Sequence, residues 1–233
     1  MPNERLNGKL GCEVECLGLV ENHDTYHRVS NEIGWVLSSD GSIHGAKYGE
    51  RGYEFKSKVY MISDKEQMFL DVAKLFATGI RVNSTCGLHV HVSFKDTINY
   101  YKLLDWKFVS QFQDLIRTNF TSGIEKKRLV NSYCKFFDGE SDFNSISNYQ
   151  LVDYHKNEHR YRAVNFNAYN LYKTFEFRIF AATNKINKFK SYLNMLLDNI
   201  AGYLKTSKLQ DKTFEVEEKE RDTTQPLIIK EVI

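Results

Sequence analysis

Proline is nearly absent from this chain, and so are the features that define several classes of protein. Its two prolines, Pro2 and Pro226, lie near the ends, so nothing between them resembles a proline-rich linker and a single domain is favoured. No apolar run approaches the roughly 20 residues that span a bilayer. The first residues lack the basic-then-apolar order of a secretory signal. We therefore expect a cytoplasmic protein without a membrane partner.

Cysteine is scarce, and its spacing predicts neither a disulfide framework nor a zinc knuckle. The chain contains Cys12, Cys16, Cys86 and Cys134. Cys12 and Cys16 lie in one predicted strand, about 13 Å apart at roughly 3.3 Å per residue, which is too far for a disulfide. Small buried thiols in a reducing compartment are therefore expected.

The motifs that many enzymes use for phosphate binding and nucleophilic attack are also missing. Neither Gly-x-x-x-x-Gly-Lys-Ser/Thr nor Gly-x-Gly-x-x-Gly occurs, which excludes a phosphate loop at a helix start. Gly-x-Ser-x-Gly is absent too. The net charge is +2, with acids and bases interspersed. The basic clusters at 126–128 and 185–190 are interpreted as solvated helix faces, so nucleic acid is not an expected partner.

Hydrophobic periodicity predicts an α+β chain. Alternating or short apolar runs predict strands over 9–20, 34–37, 52–61, 88–94, 161–166 and 175–181. Spacings of three and four predict helices over 64–78, 97–119, 124–134 and 186–204. Ser63 would open the first helix with a capping box, and the polar segment 136–148 is expected to be a long loop. The irregular order favours a mainly antiparallel sheet with helices packed on its apolar face.

The domain organisation follows from these elements. We predict a single catalytic domain over residues 1–207. The stretch that follows, 208–233, is rich in charge and has little periodicity, so it is predicted to be a charged C-terminal extension ending in a short strand or frayed tail at 227–233.

In three predicted strands, ionisable side chains share one face and apolar side chains share the other. The period-two alternation of a strand groups these polar positions: Glu13 with Glu15, His89 with His91 and Ser93, and Glu176 with Arg178. A sheet with one wet face is the common alternative explanation. Taken together, however, two acids, two imidazoles and an acid beside an arginine are unusual for exposed strand positions.

The paired acids predict a divalent cation. Two carboxylates in a partly dry site repel each other, and one takes up a proton unless a cation neutralises both. Glu54 could add a carboxylate from a neighbouring strand. Taken alone, Glu54 would be interpreted as a surface acid beside Lys56. Ligands that are mostly oxygen favour Mg²⁺ or Mn²⁺, and a histidine ligand favours Mn²⁺. Arg160 and Arg162 share a parity and add guanidinium groups suited to a triphosphate.

The ordered set of segments resembles the putative amidoligases, which are carboxylate–amine ligases with a glutamine-synthetase-like fold. The resemblance covers roughly residues 10–185 and rests on Gly11-Cys12-Glu13-Val14-Glu15, Trp35 to Asp40-Gly41-Ser42, Glu54 with Ser57, Gly87-Leu88-His89-Val90-His91-Val92, Arg162 to Asn165, and Phe175-Glu176-Phe177-Arg178-Ile179-Phe180. It implies a curved antiparallel sheet that holds two or three metal ions, with ATP entering one end of the channel.

The resemblance also implies roles for individual residues. The implied metal ligands are Glu13, Glu15, Glu54, His89 and Glu176. The implied catalytic and nucleotide-binding residues are His91, Arg162 and Arg178, which would meet the phosphates or the substrate carboxylate, and Ser93 is added to the nucleotide-binding set beside His91. Asp40 falls in the Asp-Gly-Ser turn of the family, whose role is left open.

These expectations favour an ATP-dependent carbon–nitrogen ligase. A substrate carboxylate would attack the γ-phosphorus of ATP, and an amine would then displace phosphate from the acyl phosphate to give an amide or isopeptide. Two alternatives are a metal-dependent amide or isopeptide hydrolase on the same fold and a catalytically degenerate binding module. The sequence does not indicate the acid, the amine or the oligomeric state.

Overall fold

The computed structural model describes residues 6–150 and 160–207 and shows an antiparallel sheet with helices on one face. The strands are β1 (Gly8–Leu19), β2 (Val36–Ser39), β3 (Glu50–Lys56), β4 (Tyr60–Met61), β5 (Gly87–Phe94), β6 (Val164–Asn165) and β7 (Phe175–Ala181). The helices are α1 (His23–Ile33), α2 (Lys65–Phe76), α3 (Thr97–Leu103), α4 (Trp106–Asn119), α5 (Gly123–Arg128), α6 (Glu140–Gln150), α7 (Ala168–Tyr172) and α8 (Ile186–Thr206). The predicted α+β class is confirmed.

The sheet has the order β2-β3-β1-β5-β7-β6, and β4 pairs with the start of β1. All of these strand pairs are antiparallel. The long strand β1 therefore lies near the centre, with β3 on one side and β5 on the other. Side chains from the three strands can meet on either face of the sheet.

The core lies between one face of the sheet and the helices. Along β1, Leu10, Cys12 and Val14 point into this core and are almost fully buried. The ring of Phe112 in α4 packs 5.1 Å from that of Phe177 in β7. Burying each large apolar side chain stabilises the fold by roughly 1.5–3 kcal/mol. The helices thus hold this face rigidly, and the other face is left open.

The segments predicted over 97–119 and 136–148 differ from the structure. The helix predicted over 97–119 is broken at Leu104, because the Asp105 carboxylate accepts a hydrogen bond from the Lys107 N–H and begins α4. The loop predicted over 136–148 is wrong from Glu140 onwards, where α6 begins. The polar composition of α6 gives little helical periodicity, and among its described side chains Phe143 is the buried aromatic one.

Helix α1 was not predicted, although its signals are present in the sequence. Its buried side chains recur at helical spacing, as Tyr26, Val29, Ser30 and Ile33. The helix ends at Gly34, whose φ of 71° is a left-handed value that favours glycine.

The capping box predicted at Ser63 is wrong, because this residue lies in a short 3₁₀ turn before α2 and its hydroxyl contacts the next side chain. A capping box does form at α5, where Ser122 and Glu125 satisfy each other's backbone N–H groups. Helix α5 ends at Arg128, earlier than predicted.

Two predicted strands are shorter than expected. The segment predicted over 161–166 pairs with β7 only at Val164–Asn165, and the segment predicted over 52–61 divides into β3 and β4. The predicted extension 208–233 lies outside the described residues, so the proposed division of the chain at residue 207 stays a prediction. None of the helices in the described part of the chain is long and apolar enough to cross a membrane.

Candidate functional site

The antiparallel register brings acids and an imidazole from three strands together on the open face of the sheet. Glu15 of β1 lies directly opposite Glu54 of β3. Two residues earlier in β1, Glu13 lies opposite His89 of β5. Directly opposite side chains are the closest cross-strand neighbours in a sheet, so the four side chains form one contiguous cluster.

Strand β7 adds an acid and an arginine to this cluster. Glu176 lies opposite His91. Between Leu88 and Val90 the pairing of β5 with β7 shifts, because β7 carries one extra residue there. Such a bulge re-aims a side chain, and Arg178 lies in the bulged stretch with its guanidinium hydrogen-bonded to Glu176.

His89 is the central residue of the cluster, and its side chain is only 4% exposed. Its Nδ1 lies 3.0 Å from Glu13 Oε2 and its Nε2 lies 3.4 Å from Glu15 Oε1. The other oxygen of Glu15 accepts a hydrogen bond of 2.5 Å from the Gly87 N–H. Both ring nitrogens of this imidazole therefore face carboxylates from β1.

These side chains line a cavity of about 810 Å³, a size typical of small-molecule sites. Asp40, which follows β2, lines it from one edge of the sheet, and Arg178 lines it from β7. Tyr133 and Tyr172 also line the cavity and are more than half exposed. The cavity thus combines acidic, basic and aromatic walls.

Three sets of side chains in the described part of the chain offer ligand atoms that all lie within 4.8 Å of one another. They are Glu13 with His91 and Glu176, Glu13 with Glu54 and His89, and Glu15 with Asp40 and Glu54. Carboxylate oxygens with at most one imidazole per set match the preferences of Mg²⁺ and Mn²⁺.

His91 provides an independent test of whether this cluster fits a cation. Its Nδ1 lies 3.1 Å from the Thr174 hydroxyl. Its Nε2 is buried without a hydrogen-bond partner, 3.7 Å from Glu13 Oε1. A buried polar atom with no partner is costly, whereas a ring nitrogen oriented by a bond at its other nitrogen is typical of a metal ligand. The residues therefore fit a divalent cation.

The electrostatics of the cluster agree with this fit. Burial raises the pKa of the Glu54 carboxyl, and the charge of Glu13 raises it further. Burial also acts to raise the pKa of Glu13, but contacts with His89 and His91 hold it well below its usual range. For His91, burial acts to lower the pKa, and the carboxylates of Glu13 and Glu176 outweigh it and raise the pKa. Glu13 thus relies on imidazoles for neutralisation, whereas Glu54 pairs with Lys56 and Glu176 pairs with Arg178.

Arg162 and Ser93, both predicted to bind the nucleotide, do not line the cavity. Arg162 donates to both carboxylate oxygens of Asp142, at 2.8 Å each, and to the Phe136 carbonyl. Asp142 belongs to α6, a helix that was not predicted from the sequence. Ser93 lies near the end of β5, opposite Lys9. Arg160 lines the cavity in place of Arg162.

Arg128 and Asn165 are among the cavity-lining residues that were not predicted from the sequence. Arg128 was interpreted as part of a solvated helix face, and this is wrong: the residue is 2% exposed. The available signal was its spacing of three from Glu125, which places both on one face of α5. Asn165 of β6 donates to Glu176 Oε2 at 2.6 Å and orients that carboxylate.

The four cysteines behave as the sequence predicts. All are free and buried. Burial raises the pKa of Cys86 to about 11 and that of Cys12 to about 12, with smaller effects from neighbouring groups. These thiols are therefore protonated at neutral pH, and none has the character of an activated nucleophile.

Comparison with protein families finds a match. The model of the family described as "Putative amidoligase enzyme" matches residues 11–198, which covers the open-face cluster, the strands β2 to β7 and β1 from its fourth residue onwards. Comparisons with curated proteins and with solved structures returned no significant match.

Proposed function

The chain belongs to the putative amidoligase family, and from this premise we propose that it is an ATP- and divalent-metal-dependent ligase that joins a carboxylate to an amine. Family membership indicates a ligase-type enzyme. The finer proposal is supported chiefly by the convergence of carboxylates, imidazoles and Arg178 in one cavity on a rigid sheet. We also propose that the antiparallel sheet is of the glutamine-synthetase type, as the order of the family's segments suggests.

The proposed cation ligands are the residues that share the open face: Glu13, Glu15, Glu54, His89, His91 and Glu176, with Asp40 at the edge. When bound, Mg²⁺ or Mn²⁺ would neutralise the β- and γ-phosphate oxygens of ATP. Two of these ligands are already oriented by hydrogen bonds, since the Gly87 N–H holds Glu15 and the Asn165 amide holds Glu176.

The proposed reaction has two steps. A carboxylate oxygen of the acid substrate bonds to the γ-phosphorus while the bond from that phosphorus to the bridging oxygen breaks, and ADP leaves. The amine nitrogen then bonds to the acyl carbon and loses a proton, and phosphate leaves with the electrons of the C–O bond. Arg178 would donate hydrogen bonds to the phosphoryl oxygens as charge builds on them, and His91 lies beside the same position.

A hydroxylamine-trapping assay tests this proposal without knowledge of the natural amine. The protein is incubated with ATP, Mn²⁺ or Mg²⁺, hydroxylamine and a panel of carboxylic acids. The expected result is equal amounts of ADP and hydroxamate with at least one acid. Glu13→Ala and Glu176→Ala should each lower the rate at least about 100-fold, because each removes a proposed cation ligand.

The matched control for these variants is Glu66→Ala, because Glu66 is an exposed acid on α2 and lies away from the cavity. Wild-type rates in both Glu13→Ala and Glu176→Ala would contradict the proposed site. Release of an amine from an isopeptide without ATP consumption would instead identify a hydrolase. Failure to bind ATP even with Mn²⁺, measured by calorimetry, would identify a binding module.

A further inference from the structure

Arg128 is a buried guanidinium that reaches the cavity from the end of α5. It is 2% exposed, and its Nη2 donates a hydrogen bond of 2.6 Å to the Arg178 carbonyl. That carbonyl belongs to the bulged stretch of β7, so the contact holds the guanidinium beside the cluster on the open face. Arg128 is therefore positioned by the fold and is not a freely moving surface side chain.

In the described ranges 6–150 and 160–207, Arg128 forms no ion pair with a carboxylate. Its Nε is buried with no hydrogen-bond partner. Other arginines near this face are satisfied, since Arg162 forms a two-pronged pair with Asp142 and Arg81 forms one with Glu50. A buried guanidinium is costly unless it is paired, and Arg128 has no such pair among the described residues.

Gly87 at the start of β5 lets the backbone pack directly beside the Arg128 guanidinium. A Cβ atom at this position would lie 2.8 Å from Arg128 Nη2, 3.0 Å from His89 Nε2 and 3.1 Å from Glu15 Oε2, all closer than normal contact. A larger residue would therefore displace the guanidinium from its place beside the proposed cation ligands. Arg128 also lines the cavity, so its guanidinium lies where a ligand in the cavity can reach it.

We propose that Arg128 binds an anionic oxygen of a substrate, and that with Arg178 it forms an oxyanion subsite on the β7 side of the cavity. Arg178 already donates to Glu176 and to the Tyr133 carbonyl. Of the two arginines, Arg128 is the one whose Nε is buried without an acceptor. The ligand class is a carboxylate or phosphate group, for which a guanidinium is well suited. The choice between these two sources rests on the proposed function, whereas the binding itself does not.

Titration calorimetry with two simple anions tests the subsite. Inorganic phosphate represents the phosphoryl group and succinate represents the acid substrate, and each is titrated in EDTA and in Mg²⁺. Arg128→Met should weaken binding of at least one anion about tenfold or more, because a charge-assisted hydrogen bond is lost. The matched control is Arg117→Met, whose arginine pairs with Asp114 on the exposed side of α4 and should leave both affinities unchanged.

The pattern of losses identifies the source of the anion. Weakening of phosphate alone assigns Arg128 to the phosphoryl group, weakening of succinate alone assigns it to the acid substrate, and weakening of both shows a shared oxyanion subsite. A folded Arg128→Met that binds both anions as tightly as the wild type overturns the proposal. A wild type that binds neither anion in either buffer also overturns it.

If Arg128→Met does not fold, Gly87→Ala tests whether Arg128 binds the anion. The added methyl group would lie 2.8 Å from Arg128 Nη2, so it displaces the guanidinium without removing it, and anion affinity should again fall about tenfold or more. Unchanged anion affinity in folded Gly87→Ala would then overturn the proposal. Because anion binding needs no turnover, a wild type that binds phosphate but forms no hydroxamate would contradict the ligase and leave the subsite standing.

Discussion

The helical side of the sheet and its open face both bury carboxylates, but they satisfy them differently. On the helical side, Glu125 accepts hydrogen bonds from the Tyr192 hydroxyl at 2.8 Å, from Lys188 Nζ at 2.5 Å and from the Ser122 N–H at 2.8 Å. Asp71 of α2 is similarly enclosed by donors. On the open face, several carboxylates gather around two imidazoles and compete for them.

This difference distinguishes charged side chains that stabilise the fold from charged side chains that are available to a ligand. A buried carboxylate surrounded by donors stabilises the fold and has no capacity left for a ligand. A cluster that leaves His91 Nε2 and Arg128 Nε without partners keeps that capacity. Since unpaired buried groups oppose folding, the rigid helical side must offset them. Four substitutions test this division, in order of decreasing expected effect.

Glu125→Gln should have the largest effect on stability. The change removes the charge opposite Lys188 and exchanges one acceptor for a donor, so the free energy of unfolding should fall by about 3 kcal/mol. Urea denaturation at neutral pH measures it. The matched control is Glu32→Gln, whose exposed pair with Lys74 should contribute little. A loss no larger than that of the control would show that Glu125 is not a structural charge.

The pH dependence of the unfolding free energy should show the contribution of Glu125. Burial acts to raise the pKa of Glu125, but Lys188, Ser122 and Tyr192 outweigh it and lower the pKa from 4.5 to about 2. The unfolded chain therefore binds more protons between these values, so the contribution is complete above pH 4.5 and is lost as the pH falls towards 2.

The measurement compares wild type with Glu125→Gln at pH 6 and pH 3. The difference in unfolding free energy should shrink by roughly half. Other acids, such as Glu50 beside Arg81, titrate in both proteins and cancel in the comparison. A difference that does not change with pH would contradict the lowered pKa.

Glu54→Gln should behave in the opposite way. Burial and the charge of Glu13 raise the pKa of Glu54, so its ionised form is disfavoured in the native protein without a cation. The variant should be as stable as wild type in EDTA, or more stable. Its affinity for Mn²⁺, measured from the rise in Tm with concentration, should fall about tenfold or more. Lower stability in EDTA with unchanged Mn²⁺ affinity would make Glu54 a structural residue.

Arg162→Met should have the smallest effect on stability. Compared with Arg160→Met, it distinguishes the roles of these two neighbouring arginines. Arg162 is engaged by Asp142 and lies outside the cavity, so the variant should lose about 1 kcal/mol of stability and keep the wild-type KM for ATP within about twofold. Arg160→Met should keep its stability and raise that KM, because Arg160 is exposed and lines the cavity. A raised KM for ATP in Arg162→Met with an unchanged KM in Arg160→Met would support Arg162 as a nucleotide-binding residue.

Sequence reasoning anticipated the central part of the fold. The period-two pattern in β1, β5 and β7 placed Glu13, Glu15, His89 and Glu176 on one face, and the structure brings them together. The same reasoning failed at 161–166, because Arg162 lies outside the paired part of the strand and alternation does not apply there. It failed also at α6, whose polar residues carry little periodic signal.

The sequence alone therefore determined which side chains share a strand face, because that grouping depends only on the local geometry of the backbone. Only the tertiary structure decided which faces meet and which charges are neutralised. The strand register set Glu13 against His89, and the β7 bulge aimed Arg178. Asp142 of α6 paired Arg162, whereas Arg128 of α5 has no ion pair among the described residues. Such contacts depend on residues far apart in the chain, and their pairing energies arise only once the core has packed.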